Sequence, residues 1–183
     1  MTWVRATDVL REEHQSIKKV VASMAVLLIK LETGKEVNPE TVEAVVDFMK
    51  LAGEIHERKE EKFLFPIMEK KGVSTSIAPV GLLVRNHQKA REMAGKLAAA
   101  ASANAVGWLP MDSPIVESLQ DLTDLYPPHF WQEEMLVYRV ADQQLGEEDD
   151  RQLLEAFREF DGAEADVHAR MREMANRIDG AVW

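Results

Sequence analysis

The chain of 183 residues contains no cysteine. That absence excludes disulfides, thiolate zinc sites, cysteine-held iron–sulfur clusters and a cysteine nucleophile. Any bound metal must be held by imidazole nitrogen and oxygen, a donor set suited to iron, zinc, manganese or copper. Positive charge is also scarce. Lys and Arg total 22 against 32 Asp and Glu, for a net charge of −10. No basic cluster exceeds pairs such as Lys18–Lys19 and Lys70–Lys71. Nucleic acid and anionic membrane surfaces are therefore not expected as partners. Long apolar runs are missing as well. The longest, Val20 to Ile29, is too short to span a bilayer and contains Ser23. Residues 1–8 show no basic-then-apolar signal segment, so the expectation is a soluble cytoplasmic protein.

What is present is 46% apolar and 30% charged, ordinary for a globular chain with a real core. Two copies of one short pattern stand out, His56-xxx-Glu60 and His129-xxx-Glu133. On a helix, positions four apart lie one above the other on the same face. The rest of each face is apolar: Val42, Val46, Met49, Gly53, Phe63 and Ile67 around the first, Leu119, Leu122, Tyr126, Leu136 and Val140 around the second. These are core-facing seams of bundle helices. His and Glu occupy positions where leucine is expected, and a buried unpaired carboxylate costs several kcal/mol or becomes protonated. Two such insertions need a common compensation, and a bound cation is the simplest.

Five helices and no strand are expected. Helix one runs from Thr7 or Asp8 to Gly34, with the seam Leu10, His14, Ile17, Val21, Met24, Leu28 and Leu31. Its extra apolar residues suit a second neighbour or a homodimer surface. Helix two begins at Asn38–Pro39 and ends at Gly72, with a kink expected at Pro66. Helix three spans about Ala78 to Ala103, with Val80, Val84, His87, Ala90 or Arg91, Ala94 and Leu97 or Ala98 on its seam, and Asn104 to Pro110 form a loop. Helix four begins near Asp112 or Ser113 and ends at Gly146, with a kink or broken turn at Pro127–Pro128. Helix five runs from about Glu147 to Asp179. The expected division is an up-down-up-down antiparallel four-helix bundle over residues 1–146, with a fifth C-terminal helix over 147–183 packed on it.

The histidines are spaced alike in the two halves: His14 to His56 and His87 to His129 are both 42 positions. His14 and His56 each lie about 17 residues from their shared loop, about 25 Å of helix, so a hairpin sets them level. The pattern His, His-xxx-Glu, His, His-xxx-Glu, carried by Glu12–Glu13–His14, residues 56–66, Asn86–His87 and residues 129–134, resembles the hemerythrin-like (HHE cation-binding) family. The resemblance implies a non-haem di-iron centre in which His14, His56, His87 and His129 are ligands and Glu60 and Glu133 bridge the irons. Zinc or manganese would also suit these donors. The oxygen carriers of that family have a further histidine where this chain has Arg91. Glu57, Tyr126, His168 or solvent are the candidates to replace it.

Other residues have plainer expectations. Glu57, Glu61 and Glu134 are expected to be solvated, Arg91 to pair with a carboxylate at the bundle edge, and His168 to lie on the surface. Phe63, Phe130 and Trp131 are expected in the core. The Glu-xx-His motif of ferritin-like di-iron proteins is absent, because Arg11, Gly53, Val84, Tyr126 and Ala165 precede the histidines by three. The zinc-hydrolase motif HExxH is absent too. The functional expectation is a di-iron protein that binds or senses dioxygen or a related small ligand such as nitric oxide. The alternatives are an enzyme decomposing peroxide or reducing nitric oxide, and an iron-handling or iron-sensing protein.

Overall fold

The computed structural model describes residues 3–103, 114–162 and 166–183. Among these residues the fold is all-α, with six helices and no strand. Helix α1 is Ala6–Glu32. Helix α2 covers 39–70 without a break: regular winding over Pro39–Ala52, then π-helical turns at Gly53–Glu57 and Glu60–Leu64, then Phe65–Lys70. Helix α3 is Val80–Ala103. Helix α4 covers 114–144, with a third π-turn at Glu133–Val137 between Pro114–Gln132 and Tyr138–Gln144. Helices α5 and α6 are Glu147–Asp161 and Val167–Val182.

Local signals account for most of the helix ends. Asn38 caps α2 by accepting from the Glu40 backbone N–H, with Pro39 in the first turn. Beyond α2 the chain needs left-handed backbone, which Gly72 supplies at φ 87°. Helix α1 packs on α4, α4 on α3 and α3 on α2. The seam of α1 is buried at every position expected, from Leu10 to Leu31.

Four expectations are corrected. The single fifth helix is two helices, because Gly162 at φ 80° ends α5 and turns the chain. Helix α6 is also no mere appendage: Met171, Ala175, Ile178 and Val182 are buried in the main apolar cluster. It lies against α1 and α2, running parallel to α1, as Lys19–Asn176 and Ser23–Asp179 show. The broken turn expected at Pro127–Pro128 is absent, and the chain stays helical through Pro66. The π-turn at Glu60–Leu64 delivers the chain to Pro66, which falls in the first turn of the next α-segment. Pro127 and Pro128 are exposed, as is Asp124, whose carbonyl loses its helical donor at Pro128. The loop 104–110 and the start expected at 112 or 113 lie outside the described residues.

The third correction is one of register. Before the π-turns the seams are as expected. After them the buried residues are Leu64 and Met68, not Phe63 and Ile67, and Val137 and Ala141, not Leu136 and Val140. A π-turn holds one more residue than an α-turn, so in α4, which has one such turn, the positions beyond it move on by one. The fourth correction concerns single residues. Trp131 is 58% exposed, and Val84 is exposed while Leu83 is buried in its stead.

Two apolar clusters result. One gathers Ile17, Met24, Phe48, Met49, Leu119 and α6. The other gathers Leu10, Leu64, Phe65, Leu83, Val137, Tyr138 and Phe157. The histidine–glutamate level lies between them.

Asp150 of α5 joins the C-terminal segment to the start of the chain. It is buried, and it accepts from the Ala6 backbone N–H and the Trp3 indole N–H, each at 2.9 Å. Replacing it by alanine strands the buried N–H of Ala6. We expect Asp150→Ala to lower unfolding stability by about 1–3 kcal/mol, read as a lower denaturant midpoint at unchanged slope.

Candidate metal centre

Six side chains meet between the two apolar clusters: His14 from α1, His56 and Glu60 from α2, His87 from α3, and His129 and Glu133 from α4. None is more than 2% exposed. His14 Nε2 lies 3.0 Å from His56 Nε2. Glu133 spans the site, with Oε1 2.8 Å from His129 Nε2 and 3.4 Å from His87 Nε2, and Oε2 3.2 Å from His14 Nε2. Glu60 Oε2 lies 3.2 Å from His87 Nε2 and 3.9 Å from His56 Nε2. The arrangement resolves into two groups that share one carboxylate: His14, His56 and Glu133, and His87, His129 and Glu133. All six residues singled out in the sequence are thus brought together.

The donor chemistry can be tested against a cation. Glu13 Oε2 contacts His56 Nδ1 at 2.9 Å, Glu134 Oε1 contacts His14 Nδ1 at 2.7 Å, and Glu61 Oε1 contacts His87 Nδ1 at 3.0 Å. Glu134 is held at a pKa of about 2, chiefly by its hydrogen bond from His14. Glu13 and Glu61 are also lowered: burial pushes each up, and the contacts with His56 and Lys59, or with His87 and Arg91, outweigh it. An ionised carboxylate only accepts, so each Nδ1 carries a proton, and in the neutral imidazole that a metal requires each Nε2 turns a lone pair inward. Two nitrogens about 2.1 Å from one ion and at right angles to each other lie about 3.0 Å apart. That is the His14–His56 separation. Glu60 Oε2 and Glu133 Oε2 are buried without a hydrogen bond. Buried polar atoms left orphaned beside inward-facing imidazoles fit a pair of cations.

The carboxylates behind the histidines are neutralised in turn. Lys18 Nζ sits 2.6 Å from Glu134, Lys59 Nζ 2.6 Å from Glu13, and Arg91 Nη1 3.0 Å from Glu61 and 2.7 Å from Glu57. The two hairpins match at the six central positions and at several of the groups behind them, at an offset of 73 residues. His14 and His87 correspond, as do Glu61 and Glu134, Lys18 and Arg91, and Phe65 and Tyr138. Phe65 stacks on His87 and Tyr138 on His14, with ring centroids 6.3 and 5.6 Å apart. Arg91 is thus the counterpart of Lys18, an outer cation at the bundle edge as expected. Tyr126 is buried, donates to Glu57 and sits 5.9 Å from the His129 ring.

Several residues differ from expectation. Glu57 is buried, and Glu61 and Glu134 are held behind His87 and His14, so none of the three is simply solvated. The π-turns are the cause, since they bring consecutive residues onto one inner face. Tyr138, Glu13 and Lys59 belong to the site and were not singled out in the sequence. Tyr138 donates to Glu60 Oε1 at 2.6 Å, and its hydroxyl is held protonated, first by burial and then by the charges of Glu60 and Glu133. The 73-residue repeat is the one sequence signal that points to it, through Phe65. His168 is part-exposed, 3.3 Å from Asp161, and touches none of the six central residues.

Two predictions follow from these contacts. His56→Ala and Glu133→Ala should each lower bound metal sharply, measured by elemental analysis of purified protein, while His168→Ala should leave it nearly unchanged. The second concerns protons. Burial disfavours charge on His14, but its contacts with Glu133 and Glu134 and the charges of Glu133 and Glu60 raise its pKa to about 9. A raised histidine pKa stabilises the metal-free protein fully below about 6.5, the ordinary value, and that contribution is lost as pH rises through about 9. The melting temperature of chelator-stripped protein should therefore fall across this window. Metal uptake at pH 7 should release protons, and the release should shrink as the pH approaches 9.

Residues 5–81 match the family described as hemerythrin HHE cation binding domain. No curated protein and no solved structure matches the chain. No helix among the described residues is long and apolar enough to cross a membrane. The matched segment carries His14, His56 and Glu60, and over it the chain is similar to that family.

Proposed function

We propose that the protein is a non-haem di-iron protein that binds or senses dioxygen or a related small ligand such as nitric oxide. The observation that carries this reading is the pair of carboxylates, Glu60 and Glu133, each with an orphaned buried oxygen among four imidazoles. His14 and His56 would hold one iron, His87 and His129 the other, with Glu60 and Glu133 between them. Bound iron supplies reversible electron donation to a small ligand.

The chain's own residues supply the surroundings. Phe130 packs on His14 at 4.8 Å between ring centroids, and Tyr126 stacks on Phe130. These walls exclude water. Tyr138, which keeps its proton, offers one hydroxyl beside Glu60 and His14. A groove of about 540 Å³ between α1 and α4 is lined by Val21, Ala25, Phe130, Trp131 and Met135, with Lys18 and Glu134 among its lining. An apolar diatomic molecule partitions readily into such a groove, next to the groups that hold His14.

Metal analysis should return two irons per chain. Mixing the anaerobically reduced protein with oxygen in a stopped-flow spectrometer should give a visible band that is stable and is reversed when oxygen is removed. Prompt irreversible oxidation, or sustained turnover with peroxide, would favour the enzyme in place of the binding protein. A preparation that takes up no iron would overturn the metal reading.

A further inference from the structure

The two halves of the centre are not held alike. In the His14/His56 group both imidazoles donate their Nδ1–H to an ionised carboxylate, Glu134 and Glu13. In the His87/His129 group only His87 does so, to Glu61. His129 Nδ1 is buried with no hydrogen-bond partner among the described residues. The repeat gives the reason. At an offset of 73, Asn86 stands where Glu13 would be and Gln132 where Lys59 would be. No counterpart of the Glu13–Lys59 pair backs His129.

That pair also reaches the C-terminal helices. Lys59 is fully buried and bridges Glu13 Oε1 at 2.6 Å and Asp161 Oδ2 at 2.7 Å. Asp161 is the last residue of α5, and His168, in the first turn of α6, closes the edge of the cluster 3.3 Å from Asp161 and 3.6 Å from Glu13. Two carboxylates thus flank one buried ammonium, and the row ends on the ring of His56. A carboxylate behind a histidine ligand fixes its ring and raises its basicity, and loss of such a partner typically costs about 10–100-fold in metal affinity. Glu57 does not offset the difference on the other side. Its two oxygens are taken by Tyr126 at 3.3 Å and Arg91 at 2.7 Å.

We propose that the two metal positions are unequal: the His14/His56 position fills first and holds its ion more tightly, braced from the end of α5 through Asp161, Lys59 and Glu13, and the His87/His129 position is the exchangeable one. This rests on the metal reading above. Asp161, Lys59 and Glu13 are positioning residues, acting through His56.

The test is a titration of chelator-stripped protein with cobalt(II), followed by calorimetry and by the visible spectrum. The wild type should show two separate steps. His56→Gln should remove the tighter step and His129→Gln the weaker. Asp161→Asn should weaken the tighter step about tenfold and leave the other in place, whereas Glu61→Gln should weaken only the second. The first equivalent of cobalt(II) should give two strongly shifted, slowly exchanging imidazole N–H resonances, from His14 and His56. If Asp161→Asn fails to fold, the neutral pair Glu13→Gln with Lys59→Met carries the same expectation. Two equal steps in the wild type, a tighter step lost in His129→Gln, or an Asp161→Asn isotherm identical to wild type would overturn the inequality and leave the metal reading standing. Absence of cobalt and iron binding altogether would overturn the metal reading itself.

Discussion

The structure depends on keeping ionised groups inside an apolar bundle. Glu60 and Glu133 are fully buried, and an isolated carboxylate in such a place would take up a proton. Here the reverse holds for Glu133. Burial pushes its pKa up, yet the charge of His129 and the contacts with His129, His14 and His87 hold it well below the usual carboxylate range. Charge alternates outward from this point: acid at the centre, imidazole around it, then Glu13, Glu61 and Glu134, then Lys59, Arg91 and Lys18. Each layer makes the one inside it tolerable. Two apolar clusters above and below close the level to water and strengthen every interaction in it.

The centre was legible because its residues break a strong pattern. His14, His56, His87 and His129 sit on seams that are otherwise apolar, and equal spacing in two hairpins puts them at one depth. The helices themselves followed from periodicity and from Asn38–Pro39 and Gly72. What was not legible came from the π-turns. No spacing of apolar residues announces a turn with one extra residue, so the spacing points to Phe63 and Leu136 where Leu64 and Val137 are buried, and does not single out Tyr138. For the same reason Glu57, Glu61 and Glu134 looked like the outer faces of straight helices. The break at Gly162 was masked by an apolar stripe that runs in phase on both sides of it.

The family match stops at residue 81, but the architecture it implies does not. The offset of 73 carries ligand positions, backing acids and outer cations into the second hairpin, and the departures from it are where the halves acquire different surroundings. Glu57 stands opposite Phe130, Gly53 opposite Tyr126 and Glu13 opposite Asn86. The C-terminal helices add a further asymmetry. At the metal level Asp161 and His168 contact Lys59 and Glu13 of the first hairpin, and α6 supplies Met171, Ala175 and Ile178 to the core between α1 and α2.

The π-turns bear on how related chains should be lined up. Each is a lone surplus residue lodged inside a helix, at Gly53–Glu57, Glu60–Leu64 and Glu133–Val137. Deleting that residue at Glu133–Val137 would let the coil rewind regularly and leave Val137 and Ala141 facing the interior, because their register is displaced by that same one residue. A one-residue insertion or deletion therefore has a place inside a helix of this fold as well as in its loops. An alignment that permits gaps only between helices would pair inward residues with outward ones over the last third of α2 and α4.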